Sequence, residues 1–112
     1  MGDKMVDGLT DYGDYQEWCL NGKLHRIDGP AVIRIDGAKW WYQYGTLHRV
    51  GGPAAEHSDG TKYWLINGKF HREDGPACEF ADGNKYWYLN DEQVFCKNNE
   101  EFLRIIKLKA FW

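Results

Sequence analysis

The chain has 112 residues, a formal net charge of −3 and an aromatic content of 16%. This length favours a single domain, and the acidic and basic residues are mixed without the basic block that general DNA- or RNA-binding proteins carry. No apolar run approaches the roughly 20 residues of a membrane-spanning helix, and residues 1–10 lack the apolar core of a signal peptide.

The three cysteines are an odd and scattered set, Cys19, Cys78 and Cys96. Their spacing matches neither a disulfide framework nor a metal site, so we expect reduced thiols in a cytoplasmic protein. Cys78 falls in a predicted strand, where a small apolar filler is the expected role.

Residues 1–17 are polar, and we interpret them as a loose lead-in followed by a first partial strand. Asp11-Tyr12-Gly13-Asp14 is a degenerate form of the Asp-Gly turns found later in the chain. The strand that this turn would introduce ends in Trp18-Cys19-Leu20.

Residues 18–94 contain three repeats of 23 residues and a partial fourth, beginning at Trp18, Trp41, Trp64 and Trp87. A fixed period of this size is the signature of a repeat architecture. Small repeats bury their apolar surface by stacking on their neighbours. We therefore expect one continuous array.

Each repeat contains two turn signals. The first signal is Asn21-Gly22, Tyr44-Gly45, Asn67-Gly68 and Asn90-Asp91, and the second is Asp36-Gly37, Asp59-Gly60 and Asp82-Gly83. Asn-Gly between apolar runs favours a type I′ hairpin, and the short spacing leaves no room for parallel crossovers. The sequence predicts a mainly β fold, an antiparallel β-hairpin meander of about seven strands.

One class of strand is predicted at Lys39–Gln43, Lys62–Ile66 and Lys85–Leu89. The other class is interrupted by Gly-Pro, which indicates a bend. Alternation places the repeated Trp column on one face, and we expect that face to be the core. The other face is also aromatic and must be covered or bind a partner. The candidate binding surface is Trp40, Tyr42, Tyr63, Leu65, Tyr86 and Tyr88, with Arg49 and Arg72.

A His-Arg pair recurs in each repeat, at His25, His48 and His71. Equivalent positions lie two strand spacings apart, about 9.5 Å, which is too far for a shared metal. We expect these side chains to satisfy backbone groups, with Arg26 and Arg72 paired to Asp28 and Asp74. Because no nucleophile–base pair, selected carboxylate pair or phosphate loop is visible, we predict no cofactor, no metal and no enzymatic activity.

Residues 95–112 change character. Asn98 is the candidate N-cap and Glu101 occupies the capping-box position of a helix from about Asn99 to Lys109. Its apolar residues are Phe102, Ile105 and Ile106, with Phe111 and Trp112 at the terminus. This helix either caps the open sheet or docks on another molecule.

The pattern Trp-x-x-Asn-Gly-Lys-Leu/Phe-His-Arg-x-Asp-Gly-Pro-Ala, followed by Asp-Gly-x-Lys, resembles tandem repeats in proteins of tailed bacteriophages and large viruses. Those arrays often end in Glu-Glu-Phe, as in Glu100-Glu101-Phe102 here. The pattern is also similar to MORN repeats, whose arrays are generally interaction platforms, with lipid binding proposed for some. The resemblance implies a β-hairpin array of phage or prophage origin and no catalytic residues. The second repeat departs from the pattern, with Val50-Gly51 in place of the Asp-containing pair.

Two function classes follow. The first is a non-catalytic protein-binding module, a phage-encoded protein in the infected cell that binds and inhibits a bacterial host factor such as a defence or CRISPR component. The second is a small-ligand or nucleotide-sequestering protein; a structural phage assembly protein is a further alternative. A nucleic-acid partner is not expected. A homodimer through a sheet edge or the terminal helix remains open, because unpaired edge strands need cover.

Overall fold

The computed structural model describes residues 7–109. Within this range the chain forms 14 short antiparallel strands and one helix. The predicted mainly β meander with a C-terminal helix is therefore confirmed. The elements are β1 Gly8–Asp11, β2 Tyr15–Leu20, β3 Lys23–Leu24, β4 Val32–Arg34, β5 Lys39–Trp40, β6 Tyr42–Gln43, β7 Thr46–Leu47, β8 Ala55–Glu56, β9 Lys62–Tyr63, β10 Leu65–Ile66, β11 Lys69–Phe70, β12 Cys78–Glu79, β13 Lys85–Leu89, β14 Glu92–Val94 and α1 Asn99–Lys109.

A main sheet of ten strands runs the length of the described chain. Its path is β1-β2-β4-β5-β8-β9-β12-β13-β14, with β3 paired to β2 beside this path. The pairs β6–β7 and β10–β11 form separate two-stranded hairpins. Backbone bonds such as Gly45 N to Leu24 O and Gly68 N to Leu47 O, both 2.8 Å, join successive hairpins into a second row.

The strands are more numerous than the seven predicted partly because the strand breaks at the tryptophan in the second and third repeats, at Trp41 and Trp64. Trp41 donates its N–H to Ala54 O, while its own carbonyl accepts from His48 N. The residues before Trp41 thus pair within the main sheet and those after it within a side hairpin. The first and last repeats keep one continuous strand through the tryptophan, β2 and β13.

The predicted turns form as their residues require. Asn21 and Asn67 have φ of 52° and 50°, and each is followed by a left-handed glycine, as a type I′ turn demands. Tyr44, at the equivalent position, is forced to φ 50°. In the Asp-Gly turns the aspartate accepts a backbone bond two residues on, as from Ala38 N to Asp36 Oδ1 at 2.9 Å.

The interpretation of the N-terminal segment as a loose lead-in is corrected over its second half. Residues 8–11 form β1, the edge strand that pairs with β2. The connecting turn is held by Gly13, which has φ 90° and donates its N–H to Asp11 Oδ1 at 2.8 Å. The rest of the lead-in, residues 1–6, lies outside the described residues.

The core prediction was wrong for the first three repeats. Trp18, Trp41 and Trp64 are only half-buried. On the other face, smaller buried residues alternate with aromatic residues along one row of paired positions across the sheet. This row is Val32, Trp40, Ala55, Tyr63, Cys78 and Tyr86, of which Val32, Ala55 and Cys78 are the buried members. The next row, on the Trp side of the sheet, alternates in charge: Lys39, Glu56, Lys62, Glu79 and Lys85.

The helix packs on the last hairpin. Asn98 caps it, since Glu101 N donates to Asn98 Oδ1 at 2.9 Å. Phe102 is fully buried against Trp87 and Val94, and Ile105 and Ile106 pack around the same cluster. These three helix residues therefore cover this chain's own sheet and are not a free docking face. Phe111 and Trp112, also proposed for docking, lie outside the described residues.

Candidate functional site

An arginine stacks on the tryptophan of its own repeat. The guanidinium carbon lies 3.9 Å from the indole centroid in each of the pairs Arg26–Trp18, Arg49–Trp41 and Arg72–Trp64. The side hairpin brings the two together, because the histidine preceding each arginine donates its N–H to the tryptophan carbonyl. A planar cation over an indole face is a favourable electrostatic contact. We call this side of the sheet the Trp–Arg face.

The Gly-Pro that follows each arginine fixes the guanidinium. Arg72 Nη1 donates to Pro76 O at 3.1 Å, and the other two arginines make the equivalent bond. A Cβ at Gly75 would lie only 2.7 Å from Arg72 Cζ. A side chain at this glycine would therefore displace the guanidinium, which lies directly against the backbone. The predicted backbone role of these arginines is confirmed.

The carboxylates around the three arginines differ. Arg26 Nε donates to Asp28 at 3.0 Å, and Arg72 Nε to Asp74 at 2.8 Å, so both predicted pairs are confirmed. Arg72 also binds Glu79 through Nη1 at 2.9 Å. In the second repeat, the position two residues after the arginine is occupied by Gly51 instead of an aspartate. Gly51 has a φ of 86°. Among residues 7–109, the carboxylate that Arg49 meets is Glu56, 3.7 Å from its Nη1.

The repeated histidines join one repeat to the next. Nδ1 of His25, His48 and His71 accepts the backbone N–H of Tyr44, Asn67 and Asn90 at 2.9, 2.9 and 3.0 Å. Their predicted backbone role is confirmed, and the proton on each ring is thereby placed on Nε2. Within residues 7–109, no group of three His, Cys, Asp or Glu side chains is arranged to hold a metal.

Three equivalent open grooves cross the Trp–Arg face, one at each junction between repeats. Each lies between the arginine loop of one repeat and the tryptophan of the next. The first groove, about 540 Å³, joins residues 26–30 to Trp41. The second, about 360 Å³, joins residues 49–52 to Trp64, and the third, about 370 Å³, joins Arg72 and residues 74–76 to Trp87.

The rims of the first groove are apolar and exposed. Ile27 is 69% exposed and Val50 is 79% exposed, although each follows an arginine that is held against the sheet. Both occupy the variable position of the Arg-x-Asp-Gly-Pro loop, and in the third repeat that position is Glu73. Sequence reasoning missed these rims and the stacking. The signal in the sequence was an apolar residue, Ile27 or Val50, directly after the arginine of a polar turn.

The aromatic candidate surface forms a ring ladder on the opposite side. Trp40, His57, Tyr63, Phe80 and Tyr86 follow one another at ring-centroid distances of 5.4–5.9 Å, each pair edge to face. Phe70 adds a bridge from Tyr63 to Tyr88. Burial raises the pKa of the Tyr42 and Tyr63 hydroxyls above its usual range. These rings therefore pack mainly on one another.

The structure does not bring all the predicted surface residues together. Leu65 is 6% exposed and offers no contact area. Arg49 and Arg72 stack on Trp41 and Trp64, whose strand neighbours Trp40 and Tyr63 point to the other face. The aromatic ladder and the arginines are thus separated by the sheet.

The cysteines carry no sign of reactivity. Burial raises the pKa of the Cys78 thiol to about 11. Burial likewise raises the pKa of Cys96, with Glu101 adding to the effect. A protonated, buried thiol is a poor nucleophile.

The fold and the Trp–Arg face define an antiparallel β-hairpin repeat protein with one recurring surface groove. No protein family, no curated protein and no solved structure matches the chain. In the part of the chain that the structure describes, no helix has the length and apolar character needed to cross a bilayer.

Proposed function

We propose that the protein is a non-catalytic protein-binding repeat module, and specifically a small phage-encoded protein that binds and inhibits a bacterial host factor such as a defence or CRISPR component. The observation that carries the binding function is the first groove. Its apolar rims, Ile27 and Val50, are more than two-thirds exposed and contribute little to the fold. The phage origin and host target rest on the resemblance of the repeats.

The groove has the composition of a protein-interaction surface. Arginine and tryptophan are enriched among the residues that dominate binding energy, and Trp41 with Arg49 supplies both. The arginines are already held by stacking and by proline carbonyls. A partner would therefore meet side chains whose conformational entropy has already been lost, which favours affinity.

The nucleotide alternative loses its main physical support. The predicted nucleotide site paired a ring of the aromatic ladder with Arg49 or Arg72, which requires both on one surface. The ladder rings Tyr63 and Tyr86 lie across the sheet from Arg49 and Arg72, and the ladder rings contact each other. This separation supports the protein-binding proposal over a nucleotide site built on the ladder rings.

The experiment is capture from bacterial lysate with the protein as bait, followed by a salt wash. The test variant is Ile27→Glu/Val50→Glu, which places two charges on the rims of the first groove. Ile35→Glu is the matched control, because Ile35 is 81% exposed at an Asp-Gly turn away from the grooves. We expect one stoichiometric host protein on the wild type and on the control, and its loss from the double variant.

The captured protein is then purified and its activity measured with and without the repeat protein. Inhibition by the wild type and the control variant, but not by the double variant, is the expected result. If the wild-type protein captures no host protein, the proposed function is contradicted. If the double variant captures as much of it as the wild type, the first groove is not the binding site.

A further inference from the structure

Arg49 is held like the other two repeat arginines but lacks one partner. Arg26 and Arg72 each use Nε to bind the aspartate two residues on. At that position in the second repeat stands Gly51. Among residues 7–109 no acceptor lies within hydrogen-bond distance of Arg49 Nε, and the guanidinium is still fixed over Trp41.

Glu56 does not replace the missing aspartate. It lies 3.7 Å from Nη1 of Arg49, beyond hydrogen-bond distance, and is not on the Nε side. Arg72 shows that the two positions are independent, since it binds Glu79 through Nη1 and Asp74 through Nε at the same time. An acceptor can therefore reach Arg49 Nε while Glu56 stays where it is.

The space for such an acceptor is present. A Cβ built on Gly51 would meet no atom within 4 Å, so this part of the loop is not crowded. Gly51 has a left-handed φ of 86°, so its backbone differs from that of Asp28 and Asp74, whose φ is not positive. The Arg49 side chain is 33% exposed, so solvent and a ligand can reach it.

The local charge favours an anion. In the first groove Arg26 is paired with Asp28, whereas Arg49 has Glu56 at 3.7 Å from Nη1 and makes no close carboxylate bond through Nε. In the second groove Asp74 is paired with Arg72, and Glu73 is 77% exposed and lies near His71. A carboxylate fits best, because Asp28 and Asp74 show that this geometry holds one.

We propose that Arg49 binds an aspartate or glutamate side chain of the partner protein, at the place that Asp28 and Asp74 occupy in the neighbouring repeats. This inference rests on the proposed protein-binding function. It identifies an acidic side chain, placed to reach between Ile27 and Val50, as the feature by which the partner is recognised.

The first test follows the arginine Nε–H signals by ¹⁵N NMR while acetate, the analogue of the side-chain carboxylate, is added to the wild-type protein. Arg26 and Arg72 serve as internal controls because their Nε groups are already bonded. We expect a saturable shift of the Arg49 signal with no movement of the other two. The Asp28→Gly variant should then make the Arg26 signal respond as well.

Inorganic phosphate is the competing probe. A shift of Arg49 with phosphate but none with acetate would overturn the carboxylate assignment. Equal shifts of all three arginines, or none, would overturn the site itself.

The second test uses the captured partner. Arg49→Gln should weaken its binding about tenfold or more, as removal of one member of a buried charge pair does. If acetate binds at Arg49 but no host protein is captured, the proposed function fails and the anion site stands. If a partner is captured and its affinity is unchanged by Arg49→Gln, the inference fails and the proposed function stands.

Discussion

The guanidinium of Arg72 lies 3.9 Å from the centroid of the Trp64 indole, and the same relationship joins the arginine and tryptophan of the two preceding repeats. Eight residues separate the partners in each pair. The contact covers one face of a tryptophan that would otherwise be an exposed apolar surface. These three tryptophans are half-buried, whereas Trp87 in the last repeat is buried with Val94 and Phe102.

Substitution of Gly75 by alanine should displace Arg72 from Trp64. The new Cβ would lie 2.7 Å from Cζ of Arg72, so the side chain must leave its proline carbonyl as well. We expect a loss of about 1–3 kcal/mol in the free energy of unfolding, the sum of a cation–π contact and a charged hydrogen bond. Urea denaturation of the wild type and of the Gly75→Ala variant measures this difference in unfolding free energy. In a protein that already carries Arg72→Met, the Gly75→Ala substitution should reduce the unfolding free energy far less. An equal loss with and without Arg72 would disprove the coupling between Gly75 and the Arg72 side chain.

Tyr44 should be a strained residue whose replacement by asparagine stabilises the protein. Its φ of 50° is the left-handed conformation that Asn67 adopts at the equivalent turn. For a bulky side chain this conformation costs about 1–2 kcal/mol, whereas asparagine tolerates it. The contact of Tyr44 with His25, at 4.3 Å between ring centroids, reduces the net gain. Thermal unfolding should show a higher Tm for Tyr44→Asn and a lower one for the reciprocal Asn67→Tyr. A lower Tm for Tyr44→Asn would mean that the ring contact outweighs the strain.

The helix should depend on Phe102 for its attachment. Phe102 is fully buried against Trp87, so Phe102→Ala is expected to cost about 3–5 kcal/mol and to expose the last hairpin. Leu103→Ala is the control, since Leu103 is 40% exposed on the same helix and should change stability little. Hydrogen exchange should accelerate in β13 and β14 of the Phe102 variant alone. Equal exchange in both variants would show that the helix does not protect the sheet edge.

Cys78 should resist alkylation until the protein unfolds. Burial raises its pKa to about 11, so almost no thiolate is present at neutral pH. Iodoacetamide should modify the native protein at Cys78 far more slowly than the urea-unfolded protein, as peptide mass spectrometry can measure. Rapid modification in the native state would contradict the burial.

The same shift predicts an alkaline loss of stability. The folded-state pKa is higher than that of the unfolded thiol, about 8.5. The fold therefore binds the thiol proton more tightly, and this contribution is complete below the unfolded pKa and lost as the pH rises through about 11. Cys78→Ala removes this group. Between pH 8.5 and 11, the unfolding free energy of the wild type should fall more steeply than that of the variant.

Much of the fold could be predicted because its determinants are local. A left-handed turn selects Asn-Gly within a few residues, and the helix begins where Asn98 can bond Glu101 N. The histidine and arginine roles could also be predicted, since bent strands leave backbone groups that need partners. The exposed rims of the groove could not, because exposure of Ile27 and Val50 depends on how successive loops are placed along the array.

The sequence by itself determined the 23-residue period, the antiparallel pairing and the C-terminal helix, since turn chemistry and capping act over a few residues. Only the tertiary structure decided which face is the core. Alternation assigns residues to two faces without saying which one is buried, and that choice depends on the side hairpins that form where the strand breaks, at Trp41 and Trp64. Beyond the break the chain forms the side hairpin, which places the arginine over the indole ring. In the second repeat this arginine is Arg49, which lacks the aspartate of the other repeats.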